Sequence, residues 1–368
     1  MAIGDRKTVW ILGAGFSRSL GAPLLATLFR QQNVRDFTGV GVKDSLVQDL
    51  VWTQMIFNHG RRDGLWEDAE VFLAFADDAW ARKPPDDYKR REFARLVETC
   101  SVAVYGLAAG EAERSYSNVP RVVRRALAFE TSRFLKYANP KEDEAWGPYL
   151  SWAKRLRLEF DTVVTFNYDR VPEMLRLFVP LPHQAEFKDQ MPVYKMHGST
   201  DWVINRSDPQ NPRVEQNLVA IENDLELGLA PPGGSKASLT ETLFWPLWDA
   251  AIKAIREAAE IVIVGYSFPK TDALAKKSIL DAMDSAESKV SVRQAHLVLG
   301  PDVNSDVNAR VLELLRHRMG PKRQVFVNLP ATRSITYGGD GAAIVTQHRL
   351  WAEDFIADYQ TRAGPAWP

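Results

Sequence analysis

The sequence predicts an α/β fold, a parallel sheet with helices on both faces and a helical insertion, and three observations carry this expectation. Short apolar runs alternate with amphipathic stretches on both sides of the middle of the 368-residue chain. The first such run, Val9-Trp10-Ile11-Leu12, ends in closely spaced glycines. Between residues 52 and 138, in contrast, apolar residues recur every three or four positions with few β-branched alternations. Strand–helix alternation builds a Rossmann-like sheet covered by helices, and a long helical-period stretch inside it reads as an insertion. The expected division is a core of 1–50 and 139–330, an insertion of 51–138 and a C-terminal extension of 331–368.

The opening turn, Gly13 to Pro23, follows the first strand, and Pro23 is placed to start a helix with Leu24, Leu25 and Leu28 facing a core. A glycine-rich strand-to-helix turn bares backbone N–H groups towards an anion such as a pyrophosphate. Three helical stretches follow, 66–76, 88–105 and 122–137, separated by the turn-rich Pro84-Pro85-Asp86-Asp87 and Ser115 to Pro120. In the insertion Asp63, Asp68 and Glu70 could suggest a metal site, but acidic residues interspersed on a helix read as a solvated face. Trp66, Trp80, Trp245 and Trp248 lie in helix-like surroundings, where packing explains them.

The α/β pattern then resumes. A helix from Trp146 to Leu158 leads to the β-branched strand Thr162 to Phe166, which ends in Asn167-Tyr168-Asp169. A short strand, Val193 to Met196, ends in His197-Gly198-Ser199. After the Pro/Gly loop of residues 231–236, Pro246 starts a helix that feeds the strand Ile261 to Val264, ending in Gly265-Tyr266-Ser267. Further helices are expected at Ala273 to Met283 and Val311 to Arg318, around a strand from His296 to Leu299, and the tail from Ala363 is expected to be loose. Asn167 or Asp169 can cap a following helix, and Asp272 can be a cap or a ligand contact. His59, His183, His296, His317 and His348 have no supporting motif.

The totals bound the function. Lys+Arg 46 against Asp+Glu 47 leaves a formal charge of −1, so no global field favours nucleic acid or an anionic membrane, and no direct nucleic-acid binding is expected. The single cysteine, Cys100, excludes an internal disulfide and a cysteine-rich zinc module. No run approaches the about 18 apolar residues of a membrane span. The chain start does not read as a secretory signal, so a cytoplasmic protein is expected.

Four strand ends carry polar or glycine-rich turns, and in a parallel sheet they share one edge, where ligands bind. Read together, the Gly13-Ala14-Gly15-Phe16-Ser17 turn with Gly21 and Pro23, Thr165-Phe166-Asn167-Tyr168-Asp169, His197-Gly198 and Gly265-Tyr266-Ser267 resemble the sirtuin-like family over roughly residues 8–300. Three departures narrow the likeness: one cysteine cannot supply the paired cysteines of a deacylase zinc module, Leu24-Leu25-Ala26 replaces the usual Asp-Phe-Arg, and Phe166 stands where Gln is common before the Asn of the second motif. The chain is more similar to the zinc-free NAD hydrolases of bacterial antiviral defence.

That resemblance implies NAD as substrate, with no zinc. It implies that Gly13, Ala14 and Gly15 approach the pyrophosphate, and that Ser17, with Gly265 and Ser267, helps hold the nucleotide. Asn167 would orient the ribose or water, Asp169 would contact the carboxamide, and His197 would act as general base. The chemistry suits these residue types: oriented polar groups stabilise an oxocarbenium-like ribose, and an imidazole accepts a proton near neutrality. The expected activity is NAD glycohydrolysis to nicotinamide and linear or cyclic ADP-ribose, restrained by oligomerisation or by a partner such as a helicase, nuclease or Argonaute-like sensor. ADP-ribosyl transfer, zinc-independent deacylation and a non-catalytic nucleotide-sensing scaffold stay open.

Overall fold

The computed structural model describes residues 6–29, 43–81, 88–108, 118–179, 193–205, 207–208, 212–215, 218–232, 236, 239–284, 294–319, 334–337 and 344–359. The turn at 84–87, residues 115–117, Gly233 to Ser235, His183 and the tail from Ala363 lie outside them.

The chain forms the expected α/β fold. Strands β1 (Thr8–Leu12), β2 (Asp161–Thr165), β3 (Tyr194–Lys195), β7 (Glu260–Val264), β8 (Gln294–Val298), β9 (Ser334–Tyr337) and β10 (Ile344–His348) form one sheet in the order β3-β2-β1-β7-β8-β10-β9. Every pairing is parallel except that of β9 with β10. Strand β1 is central, with β2 and β3 on one side and the later strands on the other. The strand order reverses between β1 and β7, the place where open α/β sheets leave a crevice for ligands.

Both faces of the sheet are covered, so the middles of β1, β2 and β7 are apolar on both sides. Val9, Ile11, Val164, Ile261 and Ile263 pack against helices α8 (Trp245–Glu257), α9 (Ala273–Met283) and α10 (Asp306–Met319). Trp10, Leu12, Val163, Val262 and Val264 share the opposite core with α5 (Gly147–Arg155) and α11 (Ala352–Asp358). Adjacent residues of β1 thus supply different cores, as the two-residue repeat of a strand requires. Residues 344–348 pair in register with β8, so this late segment completes the main sheet.

The helices α1 (Asp44–Arg62), α2 (Ala69–Ala81), α3 (Tyr88–Tyr105) and α4 (Val119–Ser132) make a third core. They pack on a small antiparallel sheet of β4 (Gly198–Val203), β5 (Arg213–Val214) and β6 (Leu227–Leu229), and on α7 (Val219–Glu222), through Val203, Ile221 and Leu229. Arg125 fixes this packing: it is buried, pairs with Asp49 at 2.6 Å and donates to the carbonyls of Ile221 and Glu222. Cys100 is buried in the same core, and burial pushes its thiol up to about 11. No described helix is long and apolar enough to cross a membrane.

Two local expectations are corrected. No regular helix follows Pro23 among the described residues; a short 3-10 turn at Arg18–Leu20 ends at Gly21, in the left-handed region (φ 95°), and further turns run to Phe29. Gly21 ends that 3-10 turn, and Phe29, at φ 57°, ends the turns after Pro23, although Leu28 still reaches the core. Among the tryptophans, Trp66 and Trp248 are buried, Trp66 in the link between α1 and α2, whereas Trp245 is 58 % exposed at the first position of α8.

Candidate active site

The ends of β1 and β7 touch, and the glycines make this contact possible. A Cβ on Gly13 would lie 2.5 Å from the Gly265 carbonyl oxygen, and one on Gly15 2.7 Å from Gly265 Cα. A Cβ on Gly265 itself, at φ +67°, would lie 2.4 Å from the Phe16 nitrogen. The Gly13 amide donates to Val264 O at 2.9 Å, the Gly15 amide to Gly265 O at 3.1 Å, and the Phe16 amide to Gly13 O at 2.8 Å. The expectation that Gly13 and Gly15 bare their amides to a phosphate is therefore corrected: both are bonded to the β7 end, and the glycines serve close backbone approach. Ala14 lies between them, half-buried on the cleft, and its amide bonds no other described residue.

The end of β2 is tied to this turn. The Asn167 amide group donates through Nδ2 to Gly13 O at 3.0 Å and Ser17 Oγ at 3.2 Å, and it also bonds the Asp169 carboxylate. With Nδ2 so engaged, Oδ1 is the atom that Asn167 offers a ligand. Ser17 is completely buried and also bonds Asp169, so it holds Asn167 in place from behind. Asp169 borders the cleft, but its Oδ1 accepts the Val171 amide at 3.0 Å, capping α6 (Val171–Arg176). Burial pushes the Asp169 carboxyl upward, opposed by the Lys195 charge. Lys195 is itself buried and donates to the Asp169 carbonyl and to Glu173.

His197 joins β3 to β4. Gly198 follows it at φ +76°, where a Cβ would strike the Gly228 carbonyl at 2.0 Å, so only glycine lets the chain turn here into the small sheet. The His197 carbonyl accepts the Ala230 amide at 2.9 Å, which pins the residue. Its ring bonds the Phe166 backbone, whereas Nε2 makes no hydrogen bond and stands 3.4 Å from Asp272 Oδ1. Donation to the Phe166 carbonyl leaves Nε2 as the proton-accepting nitrogen of the neutral ring. Burial, reinforced by the Lys236 charge, holds the imidazole well below its ordinary value.

These residues line one cleft of about 840 Å³, counting the space open to solvent at its mouth. Of the residues expected from sequence, Gly13, Ala14, Asn167, Asp169, His197, Gly265 and Ser267 border it, while Gly15 and Ser17 lie behind its wall. Compared with models of known protein families and with curated proteins, the sequence matches none. The site therefore rests on its own geometry.

That geometry includes groups that were not among the expected site residues. Phe166, stacked on Tyr266 at 4.2 Å and edge-on to His197 at 5.0 Å, forms an aromatic floor with Tyr168. Glu70 is no solvated face: it borders the cleft from α2 and accepts the Thr271 amide at 3.1 Å and the Thr271 hydroxyl. Asp272 is a cleft residue whose side chain makes no cap bond to α9; its Oδ2 accepts the Tyr266 hydroxyl at 3.0 Å. Lys236 Nζ contacts Asp272 Oδ1. Arg310 stands outside, donating to Ser267 O at 2.7 Å and Phe268 O at 3.0 Å, and so steadies a turn in which Phe268 has φ +50°. The place of Asp272, just beyond the Gly265 turn, was a usable signal; Glu70 and Lys236 had none.

Proposed function

We propose that this chain is a glycohydrolase of NAD, of the zinc-free sirtuin-like kind, releasing nicotinamide and ADP-ribose. The observation that carries the reading is that His197, whose Nε2 is buried and unbonded, lines one cleft with Asn167 and Ala14. An unprotonated imidazole can take the proton of a water or ribose hydroxyl as the glycosidic bond breaks. An amide oxygen fixed by Gly13 and Ser17 can orient that hydroxyl, and positioned dipoles stabilise the developing ribosyl cation without reorganising. The aromatic floor of Phe166 and Tyr266 offers a flat surface for a pyridine ring.

Such an activity would deplete its own cell, so the proposal includes restraint by self-association or by a partner protein. The helices α1 to α4 are the natural place for either to act, because Glu70, Leu127 and Thr131 carry them to the cleft wall.

The test is a product assay. Full-length protein is incubated with NAD, alone and with the products of neighbouring genes, and nicotinamide and ADP-ribose are resolved by chromatography. Release that is lost in His197→Ala and Asn167→Ala supports the reading. Saturable binding without release under every condition would leave a nucleotide-sensing module instead, and labelled protein in place of free ADP-ribose would mark a transferase.

A further inference from the structure

Charged groups from separate stretches of the chain meet where His197 faces the cleft. The Lys236 side chain is only 12 % exposed, and its Nζ contacts Asp272 Oδ1, the oxygen that stands 3.4 Å from His197 Nε2. Asp272 is 4 % exposed and held from its other side by the Tyr266 hydroxyl. The remaining titratable groups around the ring are Tyr168 and Tyr266, whose phenols burial keeps neutral, Glu70 on the α2 wall and Asp169 behind Asn167. With its carboxylate matched by an ammonium, Asp272 pulls less on a second cation, and a proton on Nε2 would also meet the charge of Lys236 in a dry site.

We infer that Lys236, anchored by Asp272, is a positioning residue whose charge keeps His197 unprotonated and ready to accept a proton. This rests on the reading of His197 as the base. Burial lowers Lys236 itself to about 7. Its charge is therefore present below neutrality, where an ordinary histidine would protonate, and fades above it, where the imidazole is neutral without help. Nothing in the sequence distinguished this lysine, because it ends a Pro/Gly loop whose composition speaks only of a turn.

The experiment follows the His197 ring directly, in full-length protein labelled at histidine, by NMR titration from about pH 5 to 8 with the signal assigned through His197→Gln. In the unmodified protein the ring stays neutral across this range. Lys236→Met is expected to bring the midpoint up into this range, and Lys236→Arg, which keeps the charge, to leave the ring neutral throughout it. The acid limb of nicotinamide release should move with the midpoint, so that Lys236→Met loses turnover near pH 6 and keeps it near pH 8. An unmoved midpoint in Lys236→Met, or an equal movement in Lys236→Arg, overturns the inference. If Lys236→Met melts early, Lys236→Gln takes its place in the same titration. A moved midpoint in a protein that never releases nicotinamide would instead sink the proposed reaction while leaving the coupling of Lys236 to His197 intact.

Discussion

Glu70 and Thr271 lie 201 positions apart, yet the Glu70 carboxylate accepts both the Thr271 amide, at 3.1 Å, and the Thr271 hydroxyl. One bond pair thereby joins α2 to the entrance of α9, next to Asp272. A double-mutant cycle of Glu70→Gln and Thr271→Val should show a coupling of about 1–2 kcal/mol in urea unfolding. Additive effects would mean that the Thr271 hydroxyl contributes nothing through Glu70.

Asn167 should matter to both stability and turnover. Asn167→Ala leaves Ser17 and Asp169 short of a buried donor, with an expected cost of about 1–3 kcal/mol. Loss of an oriented polar group at a reacting centre lowers turnover by about 10²–10³-fold. Thermal melting and the nicotinamide assay measure the two separately, and a variant that melts normally but turns over normally too would exclude Asn167 from the chemistry.

The contact between the β1 and β7 ends predicts which turn positions tolerate a methyl group. Gly15→Ala and Gly265→Ala both push a Cβ into backbone and should lose about 2–4 kcal/mol, whereas Ser267→Ala, on the cleft wall, should stay within about 1 kcal/mol. Denaturant midpoints for the three variants decide it. Equal midpoints would remove the steric account of the glycines.

Acid sensitivity should be traceable to the far end of the sheet. His348 Nε2 bonds His296 Nδ1 at 2.9 Å, and burial together with the His296 charge lowers His348 to about 3 from its usual 6.5. The unfolded chain therefore binds a proton that the folded one refuses, so stability falls as pH drops through 6.5 towards 3. Glu260, which burial opposes but bonds from His296 and Tyr359 lower to about 2, adds a loss of the same sign below about 4.5. Replacing His348 by Gln should remove on the order of 1–2 kcal/mol of the change between about pH 6 and pH 4, read from urea unfolding at each pH.

The sheet was legible because its strands announce themselves locally. Val9 to Leu12 and Ile261 to Val264 are apolar on both faces, and Asn167, His197 and Gly265 stand where such runs stop. What could not be read was whatever depends on a partner distant in sequence. An acidic residue on a helix looks solvated until the helix is docked, and Glu70 is docked on Thr271. The glycines of the first turn look alike in sequence, yet Gly13 borders the cleft and Gly15 does not. The helix expected after Pro23 gives only turns, and by Phe29 the backbone is left-handed (φ 57°), which the apolar run around it did not announce.

The cleft has one wall from the sheet edge and another from Glu70, Leu127 and Thr131 of the helical layer. A molecule seated between them is in effect a mortar joint, and its binding free energy is shared by both masonry faces. By thermodynamic reciprocity, anything that grips the outer side of those helices and favours the closed joint must tighten the grip on the molecule by the same factor. Cutting the helical layer away would therefore remove one side of the container.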